Sequence, residues 1–181
     1  RNEFMQCGEY RMKKIVIYDT TLRDGAQSKG ISFSVSDKIA IIKALERLGI
    51  DYIEGGNPSA GVNEKEFFSA VKKLKLKHAQ ITAFGMTRRK GETAALDKGI
   101  ADLLEAGTDI VTIYGKASLL HAEKILGVSA EENLDIIYES VKYLRTQERT
   151  VMFDAEHFFD GYYENSEYAL SVRFERIWSR P

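Results

Sequence analysis

The sequence predicts an α/β fold whose parallel sheet belongs to the (β/α) barrel class, of TIM-barrel type, with about five of the eight βα units present. Three observations support this prediction. Strand-like and helix-like stretches alternate from Lys14 onward. Only two prolines interrupt them, and neither G-x-G-x-x-G nor a P-loop follows the first strand. An open nucleotide-binding sheet usually carries one of those motifs, so the barrel is favoured.

The composition predicts one globular domain that does not bind polyanions. Lysine and arginine number 26 and aspartate and glutamate 27, a net charge of -1, which indicates neither a nucleic-acid nor an anionic-membrane partner. Hydrophobic residues make up 44% of the 181, enough for one core. The single cysteine, Cys7, forms no internal disulfide, and no apolar run reaches the roughly 20 residues of a membrane span. We therefore expect a cytoplasmic protein.

The chain divides into a short patternless start and one long βα repeat. Residues 1–12 are polar and without periodicity, and we expect them to be disordered or a remnant of cloning. Residues 13–181 are predicted to form one partial TIM-barrel domain. Its strand-like stretches, rich in β-branched and aromatic residues, are 15–18, 52–54, 80–84, 110–114 and 151–153.

Local signals mark the helix boundaries. The first helix begins at Ser34, whose capping box includes Asp37, and ends at Gly49. A later helix begins in the same way at Ser129, with Glu132 three residues on. Each helix has one apolar stripe for the sheet: Ile39, Ile42, Leu45 and Leu48 in the first, Leu96, Ile100, Leu103 and Leu104 in the third, and Leu134, Ile137, Val141 and Leu144 in the fourth.

Polar side chains follow every predicted strand. In a TIM barrel the carboxyl ends of the strands form one face, so side chains that are distant in sequence converge on a single mouth. They are Asp19, Arg23 and Asp24, then Glu54 and Asn57, then Thr87, Arg88 and Arg89, then Lys116, and finally Asp154, Glu156 and His157. This mouth is the predicted functional site, with the Arg23–Asp24 pair across from Glu156.

The Arg23–Asp24 pair suits the handling of an oxo acid. Asp24 offers an anionic oxygen of the kind that Mg²⁺ or Mn²⁺ prefers, and Arg23 offers a planar cation for a carboxylate or a developing oxyanion. A metal on a 2-oxo acid would make its C2 electrophilic, while Arg23 stabilises an enolate, which is a condensation chemistry. The alternative is an ordinary surface ion pair in a turn.

Five stretches, in order along the chain, resemble one enzyme family. They are DTTLRDGAQ (19–27), YIEGGNP (52–58), AFGMTRRKG (83–91), TIYGKASLLH (112–121) and FDAEHFFDGY (153–162). From about residue 13 to 172 the chain resembles the metal-dependent acyl-CoA condensing enzymes, the isopropylmalate, homocitrate and citramalate synthases, and the citramalate branch in particular. The resemblance implies a catalytic domain that joins pyruvate to acetyl-CoA with Mg²⁺ or Mn²⁺ and hydrolyses the thioester to citramalate and CoA.

The resemblance also implies residue roles. Asp24 becomes a metal ligand, Arg23 the catalytic arginine, Gln27 a substrate-side hydrogen-bonding residue and Glu156 the acidic residue of the site. Asp154 follows the same strand as Glu156 and is expected to bind substrate.

Four further residues are candidates by position. Glu54 either assists at the site or pairs with a lysine of the barrel wall, and His121 either contacts substrate or caps the next segment. Arg88 and Arg89 either bind the phosphates of CoA or form a solvated basic run.

The chain also departs from the family. A full barrel takes eight βα units and about 250 residues, whereas this sequence shows five strands, and the His-x-His metal ligands of the family's later strands do not occur after Glu156. We expect an incomplete metal site, little or no turnover, and a truncated or frame-altered carboxyl end. The helical rhythm of Leu170, Phe174 and Ile177 does not become a sixth strand. Open strand edges predict self-association into a homo-oligomer.

Three alternative functions stay open at this point. An isopropylmalate or homocitrate synthase would use a larger 2-oxo acid. A lyase or carboxyltransferase would use the same barrel and the same Arg-Asp start. A non-catalytic fragment would retain the motifs and act as an assembling or binding module.

Overall fold

Five parallel strands in sequential order form the sheet of the computed structural model, which describes residues 15–174. The strands are β1 (Tyr18–Asp19), β2 (Tyr52–Gly56), β3 (Gln80–Met86), β4 (Ile110–Lys116) and β5 (Thr150–Glu156). Each strand pairs in parallel with the next one along the chain. The predicted βα repeat with a parallel sheet is therefore confirmed.

Helices connect the strands and cover one face of the sheet. They are α1 (Val35–Leu48), α2 (Val62–Val71), α3 (Lys98–Ala106), α4 (Leu119–His121), α5 (Ala130–Thr146), α6 (Phe158–Glu164) and α7 (Ser166–Phe174). Within residues 15–174, none of them has the length and apolar content that crossing a membrane requires. The predictions for residues 1–12, Cys7 and Ile177 lie outside the described residues.

The sheet is strongly curled, as a partial barrel requires. Tyr18 on β1 and Thr112 on β4 lie three strands apart, which in a flat sheet would separate them by about 14 Å. Their hydroxyl oxygens are instead 2.8 Å apart. The concave face of the sheet therefore forms the inside of a barrel wall, and the strands' carboxyl ends open on one rim.

The first strand differs from its prediction. We predicted residues 15–18, but β1 contains only Tyr18 and Asp19, and Ile15 is 83% exposed. Val16 and Ile17 are exposed as well. Among the described strands β1 pairs only with β2, so these aliphatic side chains have a neighbouring strand on one side only. The other four predicted strands are confirmed and are longer than predicted.

The predicted helix caps agree with the structure better than the predicted apolar stripes do. Ser34 and Asp37 form a reciprocal capping box at α1, and Gly49 ends that helix in the left-handed conformation. In the third stripe Leu96 was wrong, because it is 80% exposed and precedes α3. The N-cap of α3 is Asp97, whose side chain accepts from the Ile100 amide, so the helix begins after Leu96.

The capping box gives a first stability prediction. Ser34→Ala removes the acceptor for the Asp37 amide and should lower the free energy of unfolding by about 1 kcal/mol. Urea denaturation of the variant and of the wild type measures the difference, with Ser28→Ala as the control at an exposed serine. Equal losses in both variants would contradict the assigned cap.

Two glycines let the helices lie close against the sheet. A Cβ on Gly55 would come within 2.9 Å of the Phe67 ring of α2, and a Cβ on Gly115 within 2.9 Å of Ile137 of α5. Phe67 and Ile137 are themselves fully buried. The core therefore lies between the convex face of the sheet and these helices, which leaves the concave face and the rim for the polar groups.

Candidate active site

A cavity of about 620 Å³ lies at the carboxyl-end rim of the sheet, where the charged loops were predicted to converge. Four predicted site residues line it, namely Arg23, Gln27, Asp154 and Glu156. They come from the β1 loop and from β5, at opposite ends of the five-stranded sheet. The curl of the barrel wall therefore brings the two groups to one cavity.

Arg23 is held on three sides. Its Nε donates to Oε1 of Glu54, and its Nη1 donates to Oδ1 of Asp24 over 3.1 Å. Its guanidinium lies 4.0 Å from the centre of the Phe84 ring, which is stacked on Tyr114. Such a cation is fixed in orientation, and arginine's planar fork suits a carboxylate or an enolate oxygen.

Glu54 is the buried centre of the polar layer inside the barrel. Its side chain is only 2% exposed, and while Oε1 accepts from Arg23, Oε2 accepts from the Tyr18 hydroxyl over 2.5 Å. Burial and the neighbouring Glu54 raise the pKa of Tyr18 far above its ordinary value. The cationic partner of Glu54 in the structure is Arg23, and a role of Glu54 at the site stays a prediction.

Asp154 and Glu156 extend from β5 on the same face of the strand. Glu156 is ion-paired with Lys116, its register partner on β4. Loss of hydration raises the pKa of Asp154, and the Glu156 charge adds to this, while the Arg23 charge opposes it. A carboxyl group with a raised pKa beside a fixed arginine is suited to proton transfer.

The raised pKa of Asp154 predicts a pH-dependent stability difference. The folded protein binds this proton more tightly than the unfolded chain, so the contribution of Asp154 to stability falls as pH rises above the ordinary aspartate pKa of about 3.9. Asp154→Asn removes that loss, so its melting temperature relative to wild type should increase from pH 3 to pH 7. Asp109→Asn, at the amino end of β4, is the control. A relative melting temperature that falls over this range would contradict the prediction.

The described residues do not build a divalent metal site by themselves. Asp24 is 63% exposed and offers one carboxylate, which Arg23 already contacts. Within residues 15–174 no group of three or more His, Cys, Asp and Glu side chains is placed to hold a metal ion. Mg²⁺ and Mn²⁺ take about six oxygen ligands, so the role of Asp24 as a ligand stays a prediction.

Three other predicted site residues lie away from the cavity lining. Arg88 is buried, and its Nε donates to Glu139 of α5 over 2.6 Å. Arg89 is exposed, and its backbone amide donates to Asp97. The His121 ring packs edge-on against the His157 ring, 4.5 Å between centres. The assignment of Arg88 and Arg89 to CoA phosphates and of His121 to substrate stays a prediction.

Sequence reasoning missed part of the cavity wall. Lys38 of α1 is buried, and its Nζ donates to Oε1 of Glu64 over 2.5 Å and to the Gly55 carbonyl over 3.2 Å. Both side chains line the cavity. Lys38 precedes Ile42 by four residues and Leu45 by seven, so it lies on the apolar face of α1, and this spacing is the signal that indicates a buried position. No local signal predicts a partner on another helix.

A family model matches residues 14–167, and its description is HMGL-like. The chain belongs to the HMGL-like family. The match runs from just before β1 to the start of α7, so every strand of the described barrel wall lies within it.

Curated relatives of this HMGL-like chain are synthases. The (R)-citramalate synthases of Sulfolobus acidocaldarius and Aquifex aeolicus are each 51% identical to it over 160 residues, which are 88% of this chain. A 2-isopropylmalate synthase of Sulfurisphaera tokodaii is 35% identical over 144 residues, 80% of this chain. The chain spans only about 31% of the length of the Sulfolobus relative and 35% of the Sulfurisphaera one.

Solved structures share the fold of the chain. The HMG-CoA lyase of Bacillus subtilis superposes with a TM-score of 0.62 at 20% identity, over 90% of this chain and 56% of that one. An HMG-CoA lyase of Acinetobacter baumannii, solved with coenzyme A and 3-methylmalate, gives a TM-score of 0.61 at 18% identity, over 87% and 53%. The likeness supports the partial barrel and, at these identities, says nothing of substrate.

Proposed function

We propose that this chain supplies the Arg23 side of the active site of a citramalate-synthase-type acyltransferase. The main support for this proposal is the arrangement of Arg23. Glu54 and Asp24 bind its guanidinium above the Phe84 ring, at a cavity of about 620 Å³. A cavity of that volume accommodates a 2-oxo acid together with the thioester end of an acyl-CoA. The 51% identity to (R)-citramalate synthases favours pyruvate and acetyl-CoA as the two substrates.

The reaction proposed is a condensation followed by hydrolysis. A base removes a proton from the acetyl methyl group, the resulting enolate carbon bonds to C2 of pyruvate, and the C2 oxygen takes up a proton. Water then cleaves the thioester, which releases citramalate and CoA. Arg23 stabilises the enolate or carboxylate oxygen, and Asp154 and Glu156 are the carboxyl groups of the cavity that move protons.

A divalent cation, as the resemblance implies, would polarise the carbonyl of the 2-oxo acid when bound. Asp24 is the one ligand proposed from this chain, because its exposed carboxylate projects beside Arg23. Gln27 lines the cavity and donates a hydrogen bond to substrate in this proposal. Homo-oligomerisation and a cytoplasmic location stay predictions.

A segment exchange tests substrate choice. Residues 13–172 of this chain replace the matching segment of the Sulfolobus acidocaldarius synthase, and CoA release is measured with Mg²⁺, acetyl-CoA and a series of 2-oxo acids. We expect the highest kcat/KM with pyruvate and a loss of about 10- to 100-fold with 2-oxoisovalerate or 2-oxoglutarate. A preference for either larger acid would instead support the second candidate function, an isopropylmalate or homocitrate synthase. The 35% identical 2-isopropylmalate synthase is the observation that favours the first of these.

The chain by itself, outside the segment-exchange synthase, should turn over little or no substrate. Residues 15–174 provide five strands and no cluster of three metal-ligating side chains. Purified residues 1–181 should therefore release CoA no faster than a blank that contains pyruvate, acetyl-CoA and Mg²⁺. Robust release would contradict this expectation, and a fused protein that is also inactive would favour the non-catalytic assembling module.

A further inference from the structure

The inside of the barrel wall contains a network of four polar side chains, three of which have no role in the proposed catalysis. The Thr82 and Thr112 hydroxyl oxygens are 2.7 Å apart, Thr112 is 2.8 Å from the Tyr18 hydroxyl, and Tyr18 is 2.5 Å from Glu54. They come from four successive strands, β1 to β4. Both threonines and Glu54 are buried, so each hydroxyl in this network has its partner inside the protein.

The carboxylate of Glu54 fixes the direction of its bond with Tyr18 and, through Tyr18, favours one direction along the network of hydroxyls. An ionised carboxylate only accepts hydrogen bonds, so the Tyr18 hydroxyl must donate to it. The Tyr18 oxygen is then an acceptor for the Thr112 hydroxyl at 2.8 Å, with the Thr82 hydroxyl farther off at 3.4 Å, and a Thr112 proton given to Tyr18 leaves the Thr112 oxygen to accept from Thr82. In this order the hydroxyl protons of Thr82, Thr112 and Tyr18 all point towards Glu54. The other carboxylate oxygen of Glu54 binds Arg23.

We propose that Tyr18 is the positioning residue of the site: its hydroxyl, itself oriented by Thr112, locks the Glu54 carboxylate so that Glu54 holds Arg23 in one orientation at the cavity. With both oxygens engaged, Glu54 cannot rotate away from the guanidinium. Arg23 then presents a preorganised cation, which is the form in which a cation best stabilises a developing charge. The inference rests on the proposed function only where it gives Arg23 a substrate-side role.

Hydrogen exchange at the Arg23 side chain tests the lock without any substrate. In the ¹⁵N-labelled chain of residues 1–181, the Arg23 Nε–H signal reports how long its bond to Glu54 stays closed. Tyr18→Phe removes one hydrogen bond to a charged group and should raise the exchange rate about tenfold. Tyr52→Phe is the matched control on the neighbouring strand, with its ring 6.4 Å from that of Tyr18, and should leave the rate unchanged.

A second pair of variants keeps the test independent of whether Tyr18→Phe folds. Thr112→Ser retains the donor to Tyr18 and should keep the wild-type rate, whereas Thr112→Val removes it and should raise the rate severalfold. Amide exchange in β2 and β3, measured on the same samples, separates loss of position from general loosening. Unchanged Arg23 exchange in both Tyr18→Phe and Thr112→Val would overturn the proposal. Failure of the proposed function would appear instead as absent turnover in the segment exchange.

Discussion

Arg23→Lys, made in the segment-exchange synthase, should lower kcat/KM for pyruvate by about 100- to 1000-fold. Lysine keeps the charge but has no planar fork. It cannot bind Glu54 and Asp24 at once while lying flat over Phe84, as Arg23 does. The charge would therefore no longer be fixed at the position that we propose for the enolate oxygen. Steady-state CoA release measures the effect.

Arg47→Lys is the control for that substitution. Arg47 is exposed in the last turn of α1 and does not line the cavity, so the same chemical change there should alter kcat/KM by less than about threefold. Equal losses in the two variants would show that the effect does not depend on the position of the arginine. That result would remove the special role of the clamped guanidinium.

Gly161→Ala should be strongly destabilising, by about 3 kcal/mol. A Cβ on Gly161 in α6 would lie 2.2 Å from the Ala117 carbonyl oxygen and 2.8 Å from the Ser118 Cα, and both contacts are with backbone. No rotamer change relieves them, so α6 has to move away from the segment after β4. Because α6 follows directly on Glu156 and His157, the displacement also disturbs the β5 side of the cavity.

Urea denaturation measures this loss, and Gly25→Ala is the matched control. At Gly25 the nearest atom to an added Cβ is 3.7 Å away, an ordinary contact, so the control should change stability by less than about 0.5 kcal/mol. A loss below 1 kcal/mol at Gly161 would contradict the close packing of α6 against the segment after β4.

Elements with local signals could be predicted from the sequence. The Ser34 box, the Gly49 stop and the strands β2 to β5 each depend on residues within a few positions of one another. The extent of β1 depends on a neighbouring strand, and aliphatic propensity at 15–17 could not reveal that these residues have only β2 beside them. The prediction for Leu96 failed for a different reason, because the local N-cap signal of Asp97 was overlooked and α3 begins after that residue.

The sequence predicted which residues lie at the rim of the barrel, but it did not predict which of them contact one another. Parallel topology places Arg23, Asp154 and Glu156 on one rim, since the carboxyl ends of all strands share a face, and the barrel curl predicted with it brings them to one cavity. The pairing of Arg23 with Glu54 rests on the curl of the sheet. Similarly, Arg88 pairs with Glu139, 51 residues away, and sequence spacing gives no indication of that partner.

Tyr18 shows most clearly what the sequence hid. As the last β-former before Asp19, it was predicted as an ordinary strand residue. Its hydroxyl reaches Glu54 and Thr112, which are 36 and 94 residues away. Only the closed curvature of four strands brings these groups together, and a buried hydroxyl network of this kind leaves no periodic pattern.

The most direct test of the account is product formation by the segment-exchange synthase. With residues 13–172 of this chain in place of the matching segment, purified protein is incubated with acetyl-CoA, pyruvate and Mg²⁺, and the products are identified by mass spectrometry. We expect equal amounts of CoA and citramalate, and we expect the Arg23→Lys variant of the same protein to form neither in detectable amounts. A folded exchange protein that forms no citramalate, while the parent synthase does, would contradict the claim that this chain supplies a functional condensing site.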